Sequence, residues 1–334
     1  MSMRVGVLGL GSAGMRHARN LKSLDCDVIG YDPSATAAPT FESEVGRRTS
    51  ERAAVLAEAD AIVIATPNRS HLDDLRDAIV AGKPTLVEKP LGHNAELASR
   101  LVNRARERGI LVAAAHNLRF RPVARKAKQV LEGGRLGPLA WAYFRCASWL
   151  PDWRPGTDYR KGYAADPETG GVIFDAIHEF DLACHLLGPA DLRSAVAARS
   201  GLLEIDSEDV ADIVIGHKTG CQTAIHLDYV TRPRQRRFEV AGSDGVMTAD
   251  LRSGALRLSD ANGRIILDET HAFDPNDEYV AVVKDFLAAV RTGGEPSCPA
   301  REAVATLALV CKARGRAGLP QAGAARVVER QESA

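Results

Sequence analysis

The sequence predicts a two-part α/β chain: an N-terminal doubly wound parallel (Rossmann) sheet, then an α+β part with a large, mostly antiparallel open sheet. Three observations predict it. Short apolar runs alternate with helical patterns through the first third, as in parallel sheets covered by helices. A glycine loop, Gly9-Leu10-Gly11-Ser12-Ala13-Gly14, stands between the first run and the first helical pattern. Later segments such as EDVADIVIGH and CQTAIHLDYV instead alternate polar and apolar residues at period two. The length of 334 residues suits two domains, divided here into 1–121 and 122–334.

The first strand is residues 3–8, and a helix follows the glycine loop to about Ser23. Gly9 permits a tight turn, Gly11 lets backbone approach a pyrophosphate, and Gly14 lets the helix pack on the strand. The amides of Ser12 and Ala13 open the helix, where negative charge is favoured. The second strand, DVIGY, ends at Asp32, an acid placed to accept from both ribose hydroxyls of an adenosine. A carboxylate there repels a 2′-phosphate, and Arg47 and Arg48 are distant in sequence, so NAD is expected over NADP. The next strand, 61–65, runs into Thr66-Pro67-Asn68-Arg69-Ser70-His71 and a helix over 71–81. Thr85-Leu86-Val87 is a strand ending in Glu88-Lys89-Pro90, followed by a helix over 94–108 and a strand over 110–115. Ligands of such sheets bind beyond the strand C-termini. Thr66, Pro67, Asn68, His71, Glu88, Lys89 and Asn117 all lie at that edge.

The second part begins with a basic helix over 123–132 and a strand over 139–148. The stretch GGVIFDAIHEFDLACHLLG, residues 170–188, reads as one helix. Ile173, Ile177, Phe180, Cys184 and Leu187 form its apolar stripe; Phe174, His178, Asp181 and His185 form a second stripe beside it. Strands are expected over 192–199, 209–217, 221–229 and 237–241, with helices over 277–291 and 300–313. RPRQRR, residues 232–237, reads as a strand connection or a solvated turn. One face of this sheet should carry helices and the other should meet another subunit, giving a homodimer or homotetramer.

Lys+Arg and Asp+Glu are both 43, which argues against nucleic-acid or membrane-surface partners. The six cysteines are scattered without a CxxC pair, and the start runs straight into a strand, so a cytoplasmic chain is expected. The tail beyond Pro320 should be loosely ordered. Asp175, His178, Asp181 and His185 are possible metal ligands but sit on one helix with no second cluster, so no metal is expected.

Together GLGSAGMRH (9–17), TPNRSH (66–71), EKP (88–90), NLRFRP (117–122) and GGVIFDAIHEFD (170–181) resemble the glucose–fructose oxidoreductase/inositol dehydrogenase/MocA family over nearly the whole chain. DxxHExD and the approach through Trp149 to Gly171 are similar to its sugar and nucleotide-sugar branch. The resemblance implies that Lys89 and His178 meet over a nicotinamide and that the Lys89–Pro90 peptide is cis. Many members space the helix acid four residues before the histidine; here Asp175 precedes His178 by three. Oxidising an alcohol needs a hydride to leave carbon and a proton to leave oxygen. A histidine suits the proton, and a lysine ammonium can stabilise the alkoxide. Asp175 or Asp181 could orient the imidazole. Arg119 and the cluster Trp153, Tyr159, Arg160 and Tyr163 suit a sugar-type substrate, alongside Lys89, Asp175 and His178. Two other readings are a non-catalytic dinucleotide-binding sensor and a glycosidase that uses bound NAD transiently.

Overall fold

A computed structural model describes residues 2–34 and 38–321. The expected loose tail lies almost wholly outside them. The first sheet has strands β1 (Arg4–Leu8), β2 (Asp27–Tyr31), β3 (Arg47–Arg48), β4 (Ala61–Ile64), β5 (Thr85–Val87) and β6 (Val112–Ala114), all parallel in the order β3-β2-β1-β4-β5-β6. Helices α1 (Ser12–Ser23), α2 (Ala38–Glu44), α3 (Arg52–Glu58), α4 (His71–Val80) and α5 (Ala95–Glu107) connect them. The central strands read as unbroken apolar runs because both faces are covered: Val5, Val7, Leu8 and all of β4 are fully buried. Each such Val, Leu or Ile contributes roughly 1.5–3 kcal/mol by leaving water. Helix α5 starts where Asn94 accepts a bond from the Leu97 amide at 2.9 Å. The sequence reading passed over α2, β3 and α3. A two-residue strand shows no period to find.

The second sheet has strands β7 (Leu139–Ala147), β8 (Ala190–Ala198), β9 (Val210–His217), β10 (Gln222–Asp228), β11 (Gln235–Gly242), β12 (Gly245–Asp250), β13 (Ala255–Asp260) and β14 (Ile265–Thr270). Their order is β14-β13-β12-β11-β7-β10-β9-β8, antiparallel except where β7 meets β10. Helices α6 (Pro122–Glu132), α7 (Val172–Asp175), α8 (Ile177–Leu187), α9 (Asp277–Thr292) and α10 (Ala300–Arg316) complete the chain. The inward residues of the sheet, among them Phe144 stacked on Phe238 at 5.0 Å, pack with Val123, Ile177, Phe180 and Leu307 in one core. The outward residues of this chain are exposed or half-buried.

The chain beyond residue 122 does not all stay with the second sheet. Val282, Val283, Phe286 and Leu287 of α9 return to pack with Val5, Val7 and Val63 of the first. Cys298 accepts a bond from the Ala114 amide at 3.0 Å, and Pro299 bridges to Ala113, so this return also covers the β6 edge. Arg314 of α10 is fully buried; it bonds Glu208 at 2.7 Å and the Gly170 and Pro167 carbonyls at 3.1 and 2.8 Å. It thereby fixes the entrance to α7.

Candidate active site

At the C-terminal edge of the first sheet a cavity of about 660 Å³ is lined by Gly9, Gly11, Ser12, Ala13, Asp32, Thr66, Pro67, Asn68, His71, Glu88 and Lys89. The glycine loop has the shape a dinucleotide needs. Gly9 has φ +87°, and a Cβ there would meet the Thr66 amide at 2.6 Å. A Cβ on Gly14 would lie 1.8 Å from the Gly9 carbonyl, so the helix could not approach the turn. A Cβ on Gly11 would meet nothing within 4 Å, because it would project into open space. Helix α1 opens there with no side-chain cap and no acid in its first turn, leaving its amides for an anion. Asp32 is fixed by bonds from the Leu10 amide at 2.7 Å and the Ser34 amide at 2.8 Å. These residues fit NAD.

The walls are braced from behind. His71 is buried, its ring nitrogens 2.7 Å from the Pro90 carbonyl and 2.8 Å from that of Thr66, so it ties two cavity loops together. Asn68 donates to the Thr169 carbonyl at 2.7 Å, reaching the second part of the chain. Glu88 meets the buried His17 at 2.7 Å and the Lys89 amide at 3.0 Å. Burial alone would raise its pKa, but His17 and Lys89 outweigh burial and pull it down to about 2. The Lys89–Pro90 peptide is cis.

A second cavity, about 180 Å³, adjoins the first and shares Lys89 and Asp175 with it. His178, Ser148, Trp153, Asp228, Tyr229, Arg234, Arg236 and Tyr279 also line it. The stretch expected as one helix is two, α7 and α8, with Ala176 between them at φ −91°, ψ 26°. At the break the Glu179 amide bonds the Ala176 carbonyl, and the Asp175 carbonyl accepts instead from Lys89 Nζ at 3.2 Å. The Asp175 carboxylate lies 3.8 Å from the same ammonium and accepts from the Tyr229 hydroxyl. The Asp175 charge also reaches Tyr163. Burial first, then the Asp175 charge, raises the pKa of Tyr229 and Tyr163, which keeps both hydroxyls as donors.

His178 Nδ1 is sealed in protein and has no partner among the described residues. Nε2 is then the nitrogen with access to the cavity. The ring is held edge-on by His116, 5.9 Å between centroids. Burial, then the positive charges of Lys89 and Arg236, hold its pKa well below the ordinary imidazole range, so it is neutral near pH 7. Cys146 also lines the cavity as a thiol, its pKa pushed up to about 12 by burial.

Residues 3–116 match the oxidoreductase family with an NAD-binding Rossmann fold, and residues 124–248 match the GFO/IDH/MocA C-terminal domain. A 1,5-anhydro-D-fructose reductase of Ensifer adhaerens is 30% identical over 262 residues, 75% of each chain. The chain belongs to the GFO/IDH/MocA oxidoreductases. The inositol 2-dehydrogenase of Rhizobium meliloti is 26% identical over 92% of this chain and 95% of that one. A structure of UDP-N-acetylglucosamine 3-dehydrogenase from Acidithiobacillus ferrooxidans superposes with TM-score 0.79 at 25% identity, covering 95% of this chain and 98% of that one. As a GFO/IDH/MocA member this is an oxidoreductase that uses NAD.

In this GFO/IDH/MocA chain several residues expected at the site are engaged elsewhere. Asp181 does not reach His178: Arg119 chelates it at 2.8 and 2.5 Å, and both are buried off the cavity. Arg119 is therefore no substrate ligand either; its third partner is Glu302 at 2.6 Å. No bond joins Asp175 to His178, because the helix break turns Asp175 towards Lys89. Asn117 is buried and donates to Glu278. Arg160 is held at the surface by Asp158 and Glu204. Tyr159, Tyr163 and Trp153 line a neighbouring cavity of about 330 Å³, and Trp153 meets Tyr229 edge-on at 5.3 Å. Tyr229, Asp228, Arg234 and Arg236 were missed; they lie at the end of β10, in the turn and at the start of β11, where Arg234 and Arg236 fell in the run read as a strand connection or solvated turn. Among the described residues no three His, Cys, Asp or Glu side chains gather as a metal site. No helix there is long and apolar enough to cross a membrane.

Proposed function

We propose that this chain interconverts a hydroxyl and a keto carbon of a sugar, cyclitol or nucleotide sugar, with Lys89 and His178 handling the oxygen and its proton. One observation carries the reading: Lys89, from the end of β5, and His178, from α8, line one small cavity that opens into the dinucleotide groove. Bound NAD supplies the hydride acceptor or donor. Gly11, Ser12, Ala13 and Asp32 hold that cofactor at its pyrophosphate and adenosine ribose. In the oxidising direction His178 Nε2 takes the hydroxyl proton; in reduction it returns it. The Lys89 ammonium, steadied by the Asp175 carbonyl, donates to the oxygen and stabilises the charge that develops on it. Asp175, bound by the Tyr229 hydroxyl, positions Lys89 rather than His178.

The names of relatives support the substrate class, since they include inositol, anhydrofructose and nucleotide-sugar enzymes. We place the chain in the cytoplasm as a homodimer or homotetramer joined through the outer face of the second sheet. The test is NADH formation across a panel of sugars, cyclitols and nucleotide sugars. Sustained NADH production from at least one is expected. Glycoside cleavage without NADH accumulation would favour the transient-oxidation reading, and binding without either reaction would favour a sensor.

A further inference from the structure

The run RPRQRR places four arginines in six residues at the start of β11. Strand alternation separates the last two. Arg236 faces inward, where the buried Glu179 carboxylate chelates it at 2.6 and 3.0 Å. Arg237 is exposed on the opposite face. Arg232 lies over the Trp149 ring at 4.2 Å and 3.5 Å from Asp152. Arg234 precedes the strand and is exposed at the edge of the cavity that holds Lys89 and His178. Its backbone carbonyl accepts from Arg252, but its guanidinium has no hydrogen bond, ion pair or ring contact among the described residues.

The other charges at the cavity are matched. Lys89 has Asp175, and Arg236 has Glu179. Asp228 accepts from the Thr231 hydroxyl and from two turn amides, and it also meets His226. Arg234 is left as a cation without a counter-charge. Partial burial first, then the charge of Arg236, lowers its pKa, and the exposed guanidinium is open to an anion entering the cavity. A guanidinium is built to grip a carboxylate or a phosphate through two parallel bonds.

We propose that Arg234 binds an anionic group of the substrate, a carboxylate or a phosphate, while the reacting carbinol sits between Lys89 and His178. This rests on the oxidoreductase reading above and narrows it to acidic sugars, cyclitols or their phosphate esters. A neutral sugar would leave the exposed guanidinium to solvent.

Calorimetric titration of the NADH-loaded protein tests the assignment without requiring turnover. The probes are D-glucuronate, D-gluconate, glucose-6-phosphate and inositol phosphate, each set against neutral D-glucose or myo-inositol. At least one anionic probe should bind roughly 10–100-fold tighter than its neutral parent, as a charge-assisted pair allows. Its binding should weaken with added salt. Arg234→Gln should abolish that difference with NADH affinity unchanged, and Arg234→Lys should keep part of it. Carboxylate probes succeeding where phosphates fail, or the reverse, identifies the group. Equal binding of neutral and anionic probes, equal losses for both in Arg234→Gln, or no binding by any anionic probe would overturn the proposal. NADH formation from neutral sugars, indifferent to Arg234→Gln, would remove this inference and leave the oxidoreductase reading standing. Selective anion binding with no NADH formation from any probe would do the opposite.

Discussion

In the proposed reading one side chain, Asp32, sets cofactor choice. Its carboxylate is fixed by two loop amides, while Arg48 donates to its backbone carbonyl at 2.9 Å. Sequence separation concealed that proximity; β3 closes it by pairing with β2. Asp32→Ala should therefore do more than remove a ribose partner. It should leave the Arg48 cation facing the 2′ position and narrow the preference for NAD over NADP by roughly 10–100-fold, the worth of one or two charge-assisted bonds. Fluorescence titration of both cofactors checks this, and an unchanged ratio would contradict it. Much of the site was legible at this scale where a residue sits in a local motif: the three glycines, Asp32 and the strand-end Lys89 are all placed by near neighbours. Arg119 was misread as a substrate ligand because its partner Asp181 lies far along the chain and the ion pair leaves no local signal. The arginines at 234 and 236 were missed because parity along a strand tells nothing until the strand's start is known.

The α7–α8 segment shows what an element's period does and does not reveal. The apolar stripe was legible, and Ile173, Ile177 and Phe180 are all fully buried. The break at Ala176 was not, because the group that captures the Asp175 carbonyl arrives from the other sheet. The second sheet was legible through period-two alternation, which also exposes its outer face. Paired across that face are Asp212, His226, Arg145, Arg237 and Asp250, with Trp141 and Val196 exposed at 43% and 64%. Opposed charges beside large apolar side chains suit a self-complementary contact. Sedimentation at micromolar concentration should show a species at least twice the 35.8 kDa chain mass, and Trp141→Glu should shift it towards the monomer. A purely monomeric unmodified protein would contradict this.

Across the whole molecule, the C-terminal edge of one sheet is brought against the helical layer of the other. α9 and α10 hold that arrangement by packing back onto the first sheet and its α5 helix. Lys89 and His178 meet only through it, and a cavity with a cation on one side and a neutral imidazole on the other results. The most direct test of this account compares turnover and NAD affinity in His178→Ala, Lys89→Ala and the double variant, with pH profiles for alcohol oxidation. His178→Ala should leave NAD affinity nearly unchanged and lower turnover by roughly 100- to 10,000-fold, the range for a lost acid–base group. The double variant should be much less than additively worse if both groups act on one oxygen as proposed. In the unmodified enzyme activity should fall as acid protonates His178. Because its folded pKa is depressed, that limb should lie below pH 6.5 and vanish in His178→Ala. Near-full turnover of His178→Ala with an unchanged pH profile would contradict the account.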